Sequence, residues 1–480
     1  MQKIFRKCKD AYSSMNVIAK ASLWFILLTV FDRAVSLLTQ PFINHILSVE
    51  EVGLFGIYQS WHSIFAVVAT FKLSSGVLEV YITKNKEDSY NVMGSLSILS
   101  SLICLAFFAL SVIFIIPLSE LLSLKPIYII LMFVQIIGDS LISFWTTKKQ
   151  FDYAYKEYCY VTGILFLIKS VACVFLCYAM ERDRLLGRLL GLSLPAIAFG
   201  IVLFALYIRK CDFLRVKEYW KPAVLFNIPL IPHYLSTVLL SSSDKVMIEK
   251  LADVESAGLY TLAYSFSSLT LVVFGAINSA YNPFSMRAIK EKNYRVLAST
   301  TRVMMLFSMM FAAILTYLAP EGLYILGGGK REYLQALPIV PVLIMGIFLS
   351  SFYFVFSNIE FVHEKTKYIF PVTLAGALLN IGLNYLLIPS LGYEVAAYTT
   401  FIGYVFISVC HYWISRRLIK EDVYEIKYIL LYLLGFMLLS SGALLVYKIH
   451  FMLRYILVAS LMGLAVWYGW KNKETLFKKK

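Results

Sequence analysis

The chain has 480 residues, of which 60% are apolar or aromatic and only 15% charged, with a formal net charge of +15; soluble globular chains run at about 45–50% apolar and about 25% charged. A water-soluble fold is excluded on that balance, and the short hydrophilic connections leave no room for an extramembrane catalytic domain. Successive apolar runs of about 20 residues or more can each cross about 30 Å of hydrocarbon as a helix that satisfies its own backbone.

In chain order the runs predict fourteen spans, near residues 21–46, 53–82, 91–117, 126–147, 157–180, 186–208, 222–247, 256–284, 297–319, 334–359, 367–388, 393–415, 428–447 and 452–470. They are continuous rather than alternating with period two, which excludes a β-barrel. The first follows a basic stretch (Lys3, Arg6, Lys7, Lys9, Lys20), is longer than a signal-peptide core and has no small-residue cleavage site, so it is expected to stay attached. Before the second span, Glu50-Glu51 has the look of the acidic loops of membrane glycosyltransferases. Ser48-x-x-Glu51 is also a capping box, and helix capping is the simpler account. Within that span Lys72, Ser75 and Glu79 share one helical face by their i, i+3, i+7 spacing, a face expected to point inward. Cys104, Cys173, Cys177 and Cys410 lie inside spans with no histidine at ligand spacing and read as small packing residues. Gly327-Gly-Gly-Lys330 lacks the upstream glycine and following Ser or Thr of a phosphate loop and reads as a turn. Trp145, Trp220, Trp413 and Trp470 mark helix ends at the membrane interface.

Loop charges set the orientation. The side shared by the two termini carries 31 Lys or Arg against 14 acids, and the opposite side 10 against 11. This positive-inside asymmetry places both termini in the cytoplasm with an even number of spans. The basic surplus is accounted for by orientation rather than by nucleic acid.

A shift of 205 residues lays Ser48-Val-Glu-Glu-Val-Gly-Leu-Phe55 over Asp253-Val-Glu-Ser-Ala-Gly-Leu-Tyr260 and Leu186-Gly187 over Leu391-Gly392. Spans one to six thereby superpose on spans seven to twelve, a parallel repeat because six is even. The expected organisation is a six-helix bundle over 1–210, a second over 211–420, and an extra helix pair with a basic tail over 421–480. Two such bundles facing each other can rock about a central cavity.

The ionisable residues singled out within the spans are Asp32, Arg33, Lys72, Glu79, Asp139, Lys169 and Asp244. Each costs about 2.5–3.5 kcal/mol at mid-depth unless it faces water or a partner. Arg33, Lys72 and Lys169 all belong to the first half and suit a diphosphate, whose oxygens accept charge-assisted bonds. The alternative is that they pair with Asp32, Glu79 and Asp139 to fix helix packing. Asp32, Glu79 and Asp139 are also candidates for cavity or ion-coupling roles, while structure is the better reading of Asp244. In the second half Asn278, Asn380 and Asn384, with Asn227, offer neutral amides to sugar hydroxyls.

Phe226-Asn-Ile-Pro-Leu-Ile-Pro-His-Tyr-Leu-Ser236, the Val-Glu-x-x-Gly-Leu-Tyr run ending at Tyr260, and Asn380-Ile-Gly-Leu-Asn-Tyr-Leu-Leu-Ile-Pro-Ser-Leu-Gly392 resemble motifs of polysaccharide-biosynthesis (Wzx-type repeat-unit) flippases of the multidrug/oligosaccharidyl-lipid/polysaccharide (MOP) superfamily. The resemblance implies an all-α fold of two six-helix bundles in a V, with the terminal helix pair beside a lipid groove. It implies a carrier, not an enzyme, in the bacterial inner membrane. The substrate implied is an undecaprenyl-diphosphate-linked oligosaccharide destined for O-antigen, capsule or exopolysaccharide, with membrane lipids and polysaccharide polymerase machinery as partners. No cofactor is expected beyond a coupling proton or sodium ion. The competing readings are a cation-coupled multidrug exporter of the same superfamily and a membrane polysaccharide polymerase.

Overall fold

A computed structural model describes residues 12–421, 423–449 and 451–471. The basic residues Lys3, Arg6, Lys7 and Lys9 and the basic tail after Lys471 lie outside the described residues. Among the described residues there is no strand, and fourteen helices are long and apolar enough to cross a membrane, matching the expected number. The chain forms two compact units: residues 1–47 with 61–235, and residues 48–60 with 236–480.

The first unit holds α1 (Val17–Ile46), the latter part of α2 (Val49–Thr70), α3 (Val77–Lys84), α4 (Ser89–Ile113), α5 (Ile115–Leu122), α6 (Pro126–Phe151), α7 (Tyr155–Ala179), α8 (Arg184–Ile208) and α9 (Trp220–Asn227). Its boundary falls after residue 235 rather than 210, because the following segment is bonded back onto α4. Asp212 N–H donates to Asn91 Oδ1 at 2.7 Å, Tyr219 Oη to Asp88 at 2.5 Å, and Trp220 Nε1 to the Ser95 carbonyl at 3.1 Å. The α7–α8 contact depends on small residues: a Cβ on Gly187 or Gly191 would strike the α7 backbone at Leu176 or Cys173. This is the small-xxx-small packing that lets membrane helices approach closely. Asp183 caps α8 at the Leu186 N–H, 3.0 Å away. Burial alone would raise its carboxyl, but hydrogen bonds from Lys125, Tyr128 and that N–H prevail and hold it below the ordinary carboxylate value.

The expected second span is not one helix. It breaks between α2 and α3, with Phe71, Lys72 and Gly76 at φ 51°, 48° and 61°. The sequence Thr70-Phe-Lys-Leu-Ser-Ser-Gly76 is rich in residues that offer the backbone local alternatives. Thr70 Oγ1 accepts the Lys72 N–H at 3.1 Å, and Ser75 Oγ donates to the Lys72 carbonyl at 3.2 Å. Non-helical backbone at membrane depth survives only where protein satisfies it, and that condition is met. The Thr70 carbonyl accepts from Ser100, the Phe71 carbonyl from Asn227 and the Ser74 carbonyl from Thr147. The helical face expected for Lys72, Ser75 and Glu79 therefore does not exist, since the break separates Lys72 from Glu79.

The second unit holds the first part of α2, most of α10 (Ile231–Leu251), α11 (Val254–Ser267), α12 (Leu269–Lys290), α13 (Tyr294–Tyr317), α14 (Ala319–Leu326), α15 (Val340–Val362), α16 (Ile369–Leu391), α17 (Val395–Ile419), α18 (Ile426–Val446) and α19 (Phe451–Lys471). α15 is its buried axis. The Ser48 box closes as expected: Ser48 N–H donates to Glu51 at 2.8 Å and Glu51 N–H to Ser48 Oγ at 3.1 Å. Asp253, the repeat partner of Ser48, caps α11 at the Ser256 N–H, 2.7 Å away.

Residues related by the 205-residue shift meet reciprocally in this unit. A Cβ on Gly53 would strike the Val254 carbonyl, and one on Gly258 the Val49 carbonyl. Gly258→Ala is accordingly expected to destabilise the unit by about 1–3 kcal/mol, as overpacking against backbone does. A lowered melting temperature in detergent checks it; an unchanged one refutes the close crossing.

Gly327-Gly-Gly-Lys330 forms a turn after α14, with Gly328 and Gly329 at φ 68° and 83°. The terminal pair α18–α19 is fastened to α13 and α14 along its length. Arg302 pairs with Glu425, Tyr432 Oη donates to the Arg302 carbonyl at 3.2 Å, Tyr317 Oη to the Leu439 carbonyl at 3.1 Å, and Arg454 pairs with Glu321 at 2.8 Å. Trp413 and Trp470 are exposed, whereas Trp145 is packed into the core of the first unit.

Candidate functional site

In the first unit, α1, α2, the break after α2, α6 and α7 gather the intramembrane charges. Arg33 is the seventeenth of the 30 residues of α1, and Lys169 the fifteenth of the 25 of α7, so both stand near mid-helix. Lys169 Nζ donates to Asp139 Oδ1 at 2.8 Å. Gln135 Nε2 reaches Asp139 Oδ2 at 3.3 Å, and His62 Nε2 lies 3.8 Å from the same oxygen. Asp32 is within electrostatic range of Arg33 and Lys169, and His62 of Lys72, Lys169 and Asp139. The three expected cations thus belong to one cluster, although their surroundings differ. Lys169 is held in an ion pair, while Arg33, exposed, and Lys72, half-buried on its left-handed turn, form none among the described residues. Glu79 is exposed on α3, outside this cluster and within electrostatic range of Tyr234.

His62 does not stand out beside the Asp, Glu, Lys and Arg of the spans because an imidazole need not carry a charge. A histidine in an apolar run carries the same signal, since it too must be partnered or wet at that depth.

The second unit contains a polar network around Asp244, which is 1% exposed. Its Oδ1 accepts from Asn384 Nδ2 at 2.7 Å, and its Oδ2 from Tyr260 Oη at 2.6 Å and Thr400 Oγ1 at 2.5 Å. Asn380 Nδ2 adds a bond to Thr400 at 3.1 Å, and Thr399 Oγ1 stands 2.5 Å from Asn384 Oδ1. All of these donors are neutral. The adjacent Lys245 is buried with its ammonium 5.1 Å from the centre of the Tyr264 ring and does not close an ion pair with Asp244 among the described residues. α10, α11, α16 and α17 thereby build a dry, oxygen-rich nest around one carboxylate, an arrangement able to hold a proton or a small hard cation.

This network corrects the expectation that Asn380 and Asn384 meet sugar hydroxyls. Both are fully buried, with their amides engaged by protein groups. Asn227 is likewise fully buried and donates to the Phe71 carbonyl. Asn278, half-buried on α12, is the one of the four that retains an accessible surface. Tyr260, Thr399 and Thr400 escaped sequence reasoning because hydroxyl residues in spans usually bond their own helix.

Comparison with known proteins places this architecture. A family model described as polysaccharide biosynthesis protein matches residues 18–289, and the MatE model matches residues 229–386. Lsg locus putative protein 1 of Haemophilus influenzae (strain ATCC 51907 / DSM 11121 / KW20 / Rd) is 21% identical over 382 residues, covering 76% of this chain and 90% of its own length. Among solved structures, the lipid II flippase MurJ in an inward closed conformation aligns at TM-score 0.67 and 14% identity, over 95% of this chain and 100% of its own. An inward-facing multidrug resistance MATE family transporter of the MOP superfamily aligns at 0.62 and 15% identity, over 81% and 94%. At these identities the two structures show the fold, which is that of membrane transporters with many spans. The first family model covers more than half of the chain, so this multi-pass membrane protein belongs to the polysaccharide biosynthesis protein family, as its motifs led us to expect.

Proposed function

We propose that the protein carries an undecaprenyl-diphosphate-linked oligosaccharide from the cytoplasmic to the periplasmic leaflet of the bacterial inner membrane, by alternating access, for surface polysaccharide synthesis. The observation that carries this reading is the mid-helix cation cluster of the first unit. Arg33 and Lys72 form no ion pair there among the described residues, which is costly in lipid and useful beside a phosphate. The solved neighbour named a lipid II flippase supports a lipid-linked substrate, and the loop-charge asymmetry supports cytoplasmic termini. The MatE match favours a cation-coupled exporter as the second reading; unpaired deep cations argue against cationic drugs as cargo.

Two driving forces fit. A headgroup of about two negative charges gains about 4–5 kcal/mol from an inside-negative potential of about 100 mV. A proton or sodium ion held at Asp244 supplies the second.

Purified protein in liposomes with a labelled lipid-linked oligosaccharide tests the proposal. Flipping is expected to accelerate with an inside-negative potential and to fall at least tenfold when potential and ion gradients are both collapsed. An undiminished rate under collapse refutes the electrical assistance, and no flipping under any gradient refutes the function.

A further inference from the structure

The second unit contains a titratable pair that the transport reading does not use. Glu360, on the last turns of α15, and His411, on α17, are both 0% exposed. His411 Nδ1 lies 2.5 Å from Glu360 Oε1. The other two polar atoms, Glu360 Oε2 and His411 Nε2, are sealed from solvent and have no hydrogen-bond partner among the described residues. The ring edge of Tyr353 closes one side, with centroids 4.9 Å apart.

A protein interior does not tolerate orphaned polar atoms without reason. Donation from Nδ1–H leaves the Nε2 lone pair as a vacant proton acceptor. An ionised Glu360 beside a neutral His411 is a net buried charge of −1, and a proton added at Nε2 makes the pair neutral overall. Exchange of that proton requires water to reach the sealed pair. Among the described residues the neighbouring titratable side chains are phenols: Tyr353 against the His411 ring, Tyr412 and Tyr424 around Phe356 one turn before Glu360, and Tyr281 on α12 near Tyr424. His363 is bonded to its own helix at the Ile359 carbonyl. Glu364, Lys365, Lys367 and Arg416 are exposed beyond these buried turns. No other charged side chain among the described residues forms an ion pair with either member of the pair.

We propose that Glu360 and His411 form a proton-binding site, loaded and emptied from the membrane face that holds the 363–368 connection, and separate from the Asp244 cation site. Glu360 lies two residues from the end of α15, so a small opening of the α15 and α17 ends admits water. Thr400 and His411 are eleven residues apart on α17, about 16 Å, and the two sites share no hydrogen-bond partner. The ligand is a proton rather than a metal. One imidazole and one carboxylate fall short of a zinc site, and an imidazole nitrogen is a poor ligand for sodium or calcium. No third His, Cys, Asp or Glu joins them among the described residues.

The proposed consequence, a pH-dependent step in the cycle, rests on the flippase reading; the proton site itself does not. In liposomes the wild-type flipping rate is expected to show a one-proton limb, changing about tenfold per pH unit, and Glu360→Gln and His411→Asn are expected to flatten it. Nitrogen NMR of the ¹⁵N-histidine-labelled full chain in nanodiscs, with the His411 signal identified by its loss in His411→Asn, reads the site directly. The ring is expected to titrate in the wild type and to shift its titration in Glu360→Gln. A His411 ring that does not titrate between about pH 5 and 9 overturns the proposal, and an unchanged pH profile in both variants overturns the pH-dependent step. If the protein flips nothing, the function fails while the NMR titration still decides the site.

Discussion

Asp244→Asn is expected to lower the flipping rate at least a hundredfold, equivalent to about 2.7 kcal/mol. The carboxylate accepts from Tyr260, Asn384 and Thr400 in a fully buried setting. An amide of the same size turns one of its two acceptors into a donor, so at least one of those groups loses its partner at about 1–3 kcal/mol. The variant also removes the one carboxyl group of the nest, where the proposed coupling holds its proton or cation. Thr400→Val separates the two effects, because it deletes a neutral donor and leaves the charge; its flipping is expected to stay within about tenfold of wild type. Rates measured in the same liposomes, with melting temperatures alongside, check both. A near-wild-type rate in Asp244→Asn would leave the network a purely structural role.

Apolar run length made the fourteen spans legible, because the bilayer imposes one dimension on every helix. The capping box at Ser48 and the repeat shift were legible for a similar reason: each is a local pattern with one satisfactory geometry. Legibility failed where tertiary partners overrode the local pattern. The apolar run of the second span conceals a break that is stable only because Ser100, Thr147 and Asn227 arrive from elsewhere in the chain to take its carbonyls. Asn380 and Asn384 looked like sugar ligands because a sequence shows an amide but not the Asp244, Thr399 and Thr400 that occupy it. The Glu360–His411 pair joins residues 51 positions apart on two helices, so neither half announces the other. Burial, which makes both features consequential, is a property of packing that a single span cannot report.

The second large effect separates substrate contact from helix pairing within the cation cluster. Arg33→Ala is expected to reduce flipping about 10- to 150-fold, the loss of one charge-assisted contact worth about 1.5–3 kcal/mol. Its melting temperature should hardly move, because Arg33 is exposed and makes no ion pair among the described residues. Lys169→Ala should behave differently. It strips Asp139 of its partner at 2.8 Å and leaves that carboxylate facing His62, so stability and transport should fall together. Exchanging the pair, with Lys169→Asp and Asp139→Lys in one chain, restores the bond if pairing is the whole role of Lys169. Transport that returns with stability would assign Lys169 to helix packing and leave the headgroup to Arg33 and Lys72. Stability that returns without transport would place the Lys169 ammonium on the substrate. Wild-type flipping in Arg33→Ala would remove the reason for a cation at the middle of α1 to serve a phosphate at all.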